Sequence, residues 1–185
     1  MLGRALRGAL GNSRAASDRL PGCHCGLSRL RPVDTLEIVK RYAIRGRDGL
    51  DTGQRPGLLA FGQERAEVTR GLGGDPAIFR MGGRLRDYFN QWALNLYYDD
   101  TERLGFISVE LGPQVRYHGV QLLGPPYEDV HRELTALGLR GVEGEAGIVF
   151  NDLGFAVLGA PDDPGVHTWG VEVFPPGTEL DLDDY

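Results

Sequence analysis

Apolar residues in two separate stretches of the chain recur at the spacing of a short amphipathic helix. The stretches are GLLAFGQERAEVTRGLGGDP (57–76) and HGVQLLGPPYEDVHRELTALG (118–138), and each has a glycine ahead of the helix and another at its end. Positions 62 residues apart correspond: Phe61 with Leu123, Gly62 with Gly124, Val68 with Val130, and Leu72 with Leu134. The second apolar stripe also includes Tyr127 and Leu137. The pattern predicts two copies of one unit.

Alternating apolar residues after each helix predict β-strands. In the first copy the runs are Leu94, Leu96, Tyr98 and then Ile107, Val109, Leu111, with a turn at 99–102 between them. In the second copy they are GIVFNDLGFAVLG (147–159), the turn APDDPG (160–165) and WGVEVF (169–174). The sequence thus predicts an α+β fold of two tandem helix–strand–strand repeats, which share an antiparallel sheet with the helices on one face.

The predicted organisation is one domain between two tails. The domain spans 33–176, with repeat one at about 57–112 and repeat two at about 119–176. Ahead of the repeats, a capping-box pattern from Asp34 to Glu37 predicts a short helix over 35–44, although the same residues also suit a strand, and glycines then predict a loop. Residues 1–32 are expected to be a disordered Arg- and Gly-rich tail, and 177–185 a solvated acidic tail.

Charge restricts the class of partner. The chain has a net charge of −6, but 33–185 alone carry 14 basic and 25 acidic residues and a net charge of −11. This balance disfavours nucleic acid and favours a basic protein partner. The sequence has no apolar run of the roughly 20 residues that span a bilayer, and the leader ahead of Cys23 lacks an apolar signal core, so we expect a cytoplasmic protein with no membrane partner. Its strong preference for Arg over Lys suggests a GC-rich bacterial genome.

Candidate catalytic groups are scattered. Cys23 and Cys25 have no second ligand pair for zinc, and neither Asp pair at the hairpin turns has a calcium-loop pattern, so the sequence predicts no metal and no cofactor. We expect a protein that is not an enzyme. The alternative is a small hydrolase-type enzyme in which His118 or His167 pairs with a hairpin carboxylate, Asp99 or Asp163.

Aromatic residues at or beside the predicted strands are the candidate binding residues. Tyr97 and Phe106 fall on the phase opposite the apolar runs and would project from an open sheet face. The alternative is that residues 33–56 or the C-terminal tail cover them. The predicted partner-binding set, which includes carboxylates of the first turn, is Trp92, Tyr97, Phe106, Tyr117, Trp169, Asp99 and Asp100.

The stretch LAFGQERAEVTRGLGGDP resembles the opening of a tandem-repeat family that contains the β-lactamase inhibitor protein and small outer-membrane lipoproteins of the barrel-assembly machine. The matching positions are Gly62, Gln63, Glu64, Val68, Leu72, Gly73, Asp75 and Pro76, and Gln63 replaces the usual Met. The resemblance covers about 57–176. It implies a repeat fold with an open sheet face that binds proteins, and it carries over no catalytic or contact residue.

Together these observations predict a non-enzymatic intracellular protein-binding module, such as an immunity or inhibitor protein for a basic toxin or enzyme. A self-associating structural module is a further alternative. The oligomeric state and the identity of the partner are left open by the sequence.

Overall fold

A computed structural model describes residues 41–45, 49–53, 57–81, 84–110, 112–163, 165–180 and 182. The expected tail of 1–32, the start of the helix expected at 35–44, and Leu111 lie outside these residues. The described residues all belong to one compact unit, Glu37–Tyr185. None of the described helices is long and apolar enough to cross a membrane.

The described part of the chain forms thirteen strands and two α-helices. The strands are β1 (Arg41–Ile44), β2 (Gly49–Asp51), β3 (Leu58–Ala60), β4 (Ala77–Met81), β5 (Arg84–Phe89), β6 (Leu94–Tyr98), β7 (Leu104–Glu110), β8 (Gln114–Tyr117), β9 (Val120–Gln121), β10 (Val142–Gly144), β11 (Gly147–Phe150), β12 (Phe155–Leu158) and β13 (Gly170–Val173). The helices are α1 (Arg65–Leu72) and α2 (Tyr127–Ala136), and a 3-10 turn lies at Asn90–Trp92.

The strands are divided between two sheets. The larger sheet is antiparallel and has eight strands in the order β10-β11-β12-β13-β7-β6-β5-β4, so β4 and β10 are its edges and the β7–β13 pair lies at its centre. The smaller sheet has five strands in the order β3-β2-β1-β8-β9, and its β1–β8 pair is parallel.

One face of the eight-stranded sheet, here called the inner face, carries the core. Leu94, Leu96 and Tyr98 of β6 are buried on this face, as their alternation predicted. The layer above them combines both helices with the five-stranded sheet, which contributes buried residues such as Leu50 and Val115. The helices predicted in the two repeats are confirmed. Their buried positions are Val68, Leu72, Tyr127, Val130 and Leu134, whereas Leu137 is 47% exposed because the helix has already ended.

The predicted α+β class is wrong. The protein is mostly β, with two sheets and only two short helices, and the helices do not form the covering layer alone. The physical reason is width: eight strands at roughly 4.8 Å spacing make a face over 30 Å wide, whereas two helices of about 10 Å diameter cover less than that. The five-stranded sheet covers the rest of the inner face.

Several smaller predictions are also wrong. Residues 41–44, for which the sequence suited both a helix and a strand, form the strand β1, and the glycine-rich segment expected to be a loop includes β2 at Gly49–Asp51. The strands β4 and β5 were not predicted at all.

In β5 the inward positions are Leu85, Asp87 and Phe89, so a fully buried carboxylate interrupts the apolar alternation. Asp87 accepts two hydrogen bonds from the Arg65 guanidinium, at 2.8 and 2.9 Å, which joins α1 to the sheet.

The same element order occurs twice along the chain, namely a strand, a helix and four strands. The backbone before each helix also makes corresponding hydrogen bonds: Gly62 N to Leu104 O and Gly124 N to Thr168 O, Leu104 N to Gln63 O and Thr168 N to Pro125 O, Arg65 N to Glu102 O and Tyr127 N to Val166 O. Gly62 and Gly124 have φ of +80° and +99°, a conformation that glycine adopts without strain. Each group of four strands then forms one half of the large sheet.

Candidate functional site

The opposite side of the eight-stranded sheet, the outer face, carries a row of large side chains across four strands. Strand register aligns Phe79 of β4 with Arg86 of β5, Arg86 with Tyr97 of β6, and Tyr97 with Phe106 of β7. We call these four residues the aromatic row. Neighbours in such a row are close enough for their side chains to touch.

Ring and charge contacts order the aromatic row. The Arg86 guanidinium lies over the Tyr97 ring at 5.4 Å and over the Phe79 ring at 5.9 Å. Tyr97 and Phe106 meet edge to face at 5.4 Å, and Phe106 stacks on the buried Phe174 at 6.0 Å. Because each side chain is held by the next, the row presents a preordered surface in which Phe79 is 48% exposed and Tyr97 and Phe106 are half-buried.

Polar side chains form a second row beside the first one. Asn95 of β6 pairs in register with Ser108 of β7, and Ser108 pairs with Glu172 of β13. The Arg86 guanidinium donates to the Asn95 side-chain oxygen, and the Asn95 amide donates to Glu110 Oε1 at 2.6 Å. The Ser108 hydroxyl donates to Glu172 Oε1 at 3.0 Å. The hydrogen bonds thus link Arg86 of the aromatic row to Glu110, and the Ser108–Glu172 pair lies beside them in the sheet.

Glu172 is the most unusual group of this face. It is only 3% exposed, and its Oε2 has no hydrogen-bond partner among the described residues. Burial raises the pKa of Glu172 to about 8, with a smaller contribution from the negative charge of Glu110, against the opposing effects of the Ser108 hydrogen bond and Arg86. The carboxyl group is therefore mostly protonated at neutral pH.

Residues near the C-terminus cover the other half of the outer face. Leu182 is 3% exposed and belongs to a second apolar cluster with Val149, Ala156, Leu158 and Phe174. The expectation of a fully solvated tail is thus wrong for Leu182, because the apolar outer positions of β11 and β12 need cover. The half formed by β4–β7 carries the aromatic row. Its partly buried Phe106 on β7 lies at the border with the covered half.

Four of the predicted binding residues lie together at one surface cavity. The cavity has a volume of about 300 Å³, and Tyr97, Asp99, Asp100 and Phe106 line it with Arg84 and Thr178 among others. Tyr97 and Phe106 lie on the outer face, as their phase predicted. The structure thus joins the half-buried end of the aromatic row, Tyr97 and Phe106, to the carboxylates of the β6–β7 turn.

The two carboxylates of this turn have different roles. Asp99 accepts hydrogen bonds from the Thr101 amide at 2.8 Å, the Thr101 hydroxyl at 2.7 Å and the Arg103 amide at 3.0 Å. These bonds, led by the one from the Arg103 backbone, lower the pKa of Asp99, so it is ionised at neutral pH. Asp100 is exposed and lines the same cavity.

The other three predicted binding residues lie elsewhere. The Trp92 indole donates to the carbonyl of Leu72 at 3.0 Å, at the end of α1. Tyr117 is 8% exposed and packs in the core against Phe155 at 4.8 Å. Trp169 is 39% exposed but is not a lining residue of the Tyr97 cavity.

The two histidines of the alternative enzyme hypothesis, His118 and His167, each contact a group other than the hairpin carboxylates. His118 has a φ of +47° in the β8–β9 turn and its ring meets Tyr117 at 4.5 Å. Nδ1 of His167 contacts the carbonyl oxygen of Gly124. Within the described ranges, no hydrogen bond joins either ring to Asp99 or Asp163, and no three His, Cys, Asp or Glu side chains are grouped so as to hold a metal ion.

Sequence reasoning missed Phe79, Arg86, Asn95, Glu110 and Glu172. Glu172 had a usable signal, since it lies between Val171 and Val173, which both face the core, and must therefore face outward. Phe79 and Arg86 had none, because β4 and β5 lack a clean apolar alternation.

Comparisons of the chain with protein-family models, curated proteins and solved structures gave no match.

Proposed function

We propose that this protein is a non-enzymatic binding module, and that the outer face over β4–β7 binds a basic protein in the manner of an inhibitor or immunity protein. The observation that carries the proposal is the meeting of half-buried aromatic rings with exposed carboxylates at one cavity, where Tyr97 and Phe106 lie beside Asp99 and Asp100. Aromatic side chains at the centre of a patch, with charged groups at its rim, are typical of protein interfaces.

The preordered state of the aromatic row supports this proposal. A binding surface loses less entropy on association when its side chains are already fixed. Arg86 holds Tyr97 and Phe79 from one side, and Phe174 holds Phe106 from the other. The net charge of −11 over 33–185 favours a partner with an excess of Lys and Arg, and such charge complementarity accelerates association.

Two point variants test the surface. Tyr97→Ala removes an aromatic contact, and Asp100→Lys reverses an exposed charge whose side chain makes no hydrogen bond that holds the turn. Asp162→Lys is the matched control, because Asp162 is also exposed in a hairpin turn but belongs to the other half of the sheet. The immobilised full chain and its variants are used to capture proteins from a bacterial lysate, and captured proteins are identified by mass spectrometry.

We expect one basic protein to be retained by the wild type and by Asp162→Lys, and its affinity to fall roughly tenfold or more with either test variant, in line with loss of an interface hot spot. The affinity of the purified partner, measured by calorimetry, should also fall as salt increases. A partner whose binding ignores both test variants would place the binding surface elsewhere and contradict the proposal. Retention of no protein at all would also count against it.

A further inference from the structure

The two edges of the eight-stranded sheet are protected to different degrees. β10 has only three residues, and its Glu143 accepts a hydrogen bond from the Tyr127 hydroxyl at 3.0 Å. β4 has five residues without a carboxylate or proline, and its Ile78 and Phe79 are 59% and 48% exposed. Edge strands of monomeric proteins are usually short, charged or covered, because an open apolar edge pairs with other strands. β4 has a single charged side chain, Arg80, and among the described residues its apolar Ile78 and Phe79 are left exposed.

The β4–β5 hairpin defines which backbone groups of β4 are available. Two residues connect the strands, and Met81 pairs with Arg84 next to the connection. The closing pair of a two-residue hairpin is hydrogen-bonded, and hydrogen-bonded pairs alternate with non-bonded ones along the ladder. Phe79 therefore bonds to β5, whereas the N–H and C=O groups of Ile78 and Arg80 point away from β5 toward the open edge.

We infer that β4 pairs with β4 of a second copy of this chain, antiparallel and with the two-fold axis at Phe79. In this register Ile78 of each copy lies opposite Arg80 of the other, and the two residues exchange N–H···O bonds. Symmetry doubles the exchange to four backbone hydrogen bonds. Such a contact is isologous, so it closes at a dimer instead of growing into a filament.

The two neighbouring registers that use the same backbone groups are worse. A shift in one direction places Arg80 opposite Arg80 of the other copy, where like charges repel. A shift in the other direction places Arg80 opposite Pro76, which has no N–H to donate.

Side chains on the outer face support the same register. The two Phe79 rings would form a non-hydrogen-bonded pair, in which the Cα atoms approach to about 4.5 Å and side chains are closest. The aromatic rows of the two copies would then join into one. This dimer contact shares Phe79 with the aromatic row, but the binding function proposed above is tested at Tyr97 and Asp100, so the two proposals can fail separately. Strand pairing alone buries little area, so we expect a weak dimer with a dissociation constant of roughly 1–100 µM.

Sedimentation equilibrium of the full chain tests the dimer. The wild type, a 20.2 kDa monomer, should show a reversible increase toward twice that mass as its concentration rises. Phe79→Lys places two ammonium groups at the two-fold axis and should leave only monomer. Val142→Lys is the matched control on the other edge, where Val142 is 67% exposed, and it should dimerise like the wild type. A wild type that stays monomeric to about 100 µM, or a Phe79→Lys variant that still dimerises, would overturn the inference.

Cysteine cross-linking tests the register without relying on Phe79→Lys. In a Cys23→Ser, Cys25→Ser background, Phe79→Cys should form an intermolecular disulfide under mild oxidation, because the expected Cα separation at the axis lies within the range for disulfides. Val142→Cys should remain monomeric under the same conditions. Equal cross-linking of the two variants would mean random collision and would contradict the proposed pairing.

Discussion

Glu172 is a carboxyl group in a place where a sheet usually carries an apolar side chain. It lies between two buried valines, and its register partners on the adjacent strands are Ala156 of β12 and Ser108 of β7. Its Oε2 has no hydrogen-bond partner among the described residues. A buried carboxylate without a paired cation is costly, so the group keeps its proton instead. The single Ser108 hydrogen bond does not compensate for the burial, and the result is a pKa of about 8.

We expect this carboxyl group to make stability fall as pH rises. The unfolded chain releases the proton near the ordinary pKa of 4.5, whereas the folded protein holds it until about pH 8. Between these values the folded state binds the extra proton, so the free energy of unfolding decreases with increasing pH, by an amount on the order of a few kcal/mol. Below about pH 4 both states are protonated and the effect is constant.

Glu172→Gln separates this effect from other titrations. The amide has a similar shape but does not ionise, so the difference in thermal midpoint between variant and wild type should grow in favour of the variant from pH 5 to pH 8. The measurement is thermal denaturation followed by circular dichroism at both pH values. A difference that does not change with pH would show that Glu172 ionises normally in the folded protein.

The ends of α1 show how elements of this fold are joined. α1 has eight residues, which is short for a helix in isolation, and tertiary contacts support it at both ends. At its first residue, Arg65 bonds to Asp87 on β5, and at its end the Trp92 indole N–H donates to the Leu72 carbonyl. The Gln91 side chain donates to the carbonyl of Gly73 at 2.9 Å. The 3-10 turn therefore acts as the C-terminal cap of α1.

We expect Trp92→Phe to destabilise the protein by about 1 kcal/mol, because the Leu72 carbonyl loses its indole donor. Trp169→Phe is the matched control, since Trp169 is 39% exposed and its indole caps no helix. Urea denaturation should show a lower midpoint for Trp92→Phe and a nearly unchanged one for Trp169→Phe. Equal midpoints for the two variants would mean that the indole bond does not support α1.

Elements with a clean apolar period could be predicted from the sequence, and the others could not. α1, α2, β6 and β7 follow such periods, and the predicted positions Val68, Leu72, Val130, Leu134, Leu94, Leu96, Tyr98, Ile107 and Val109 are buried. β5 was missed because the inward Asp87 is polar, and its partner Arg65 is 22 residues away, which no local pattern reveals. β4 was missed because an edge strand exposed on both sides needs no alternation. At the candidate site, Asp99, Asp100, Tyr97 and Phe106 were predictable because the apolar alternation of β6 and β7 fixes the turn between them and the residues that face outward.

At the scale of the whole molecule, the two faces of the large sheet are covered in different ways. Among the described residues, the inner face is buried under a mixed layer of helices and strands, and Leu182 joins the apolar cluster of Val149 and Phe174 over the β10–β13 half of the outer face. The sequence could predict which residues face each side. It could not predict which segment covers them, because that depends on contacts distant in sequence.

We expect Leu182→Ala to cost about 2 kcal/mol, since a buried leucine loses its contacts but lies at the margin of a cluster that can relax. Leu137→Ala is the control, because Leu137 is 47% exposed and its loss should change stability by less than about 0.5 kcal/mol. The free energies are compared by urea denaturation. Equal costs for the two substitutions would show that the C-terminal segment does not stabilise the sheet.

The β7–β13 pair has a consequence for how fast the protein folds. Its two strands are about sixty residues apart in the chain, and the parallel β1–β8 pair spans a similar loop. Each half can form its own hairpins quickly, but joining them at the centre of the sheet requires the closure of a long loop before any contact compensates for it. We therefore expect the central pairing to limit the folding rate, and until it forms each half carries an unpaired inner strand that is open to aggregation.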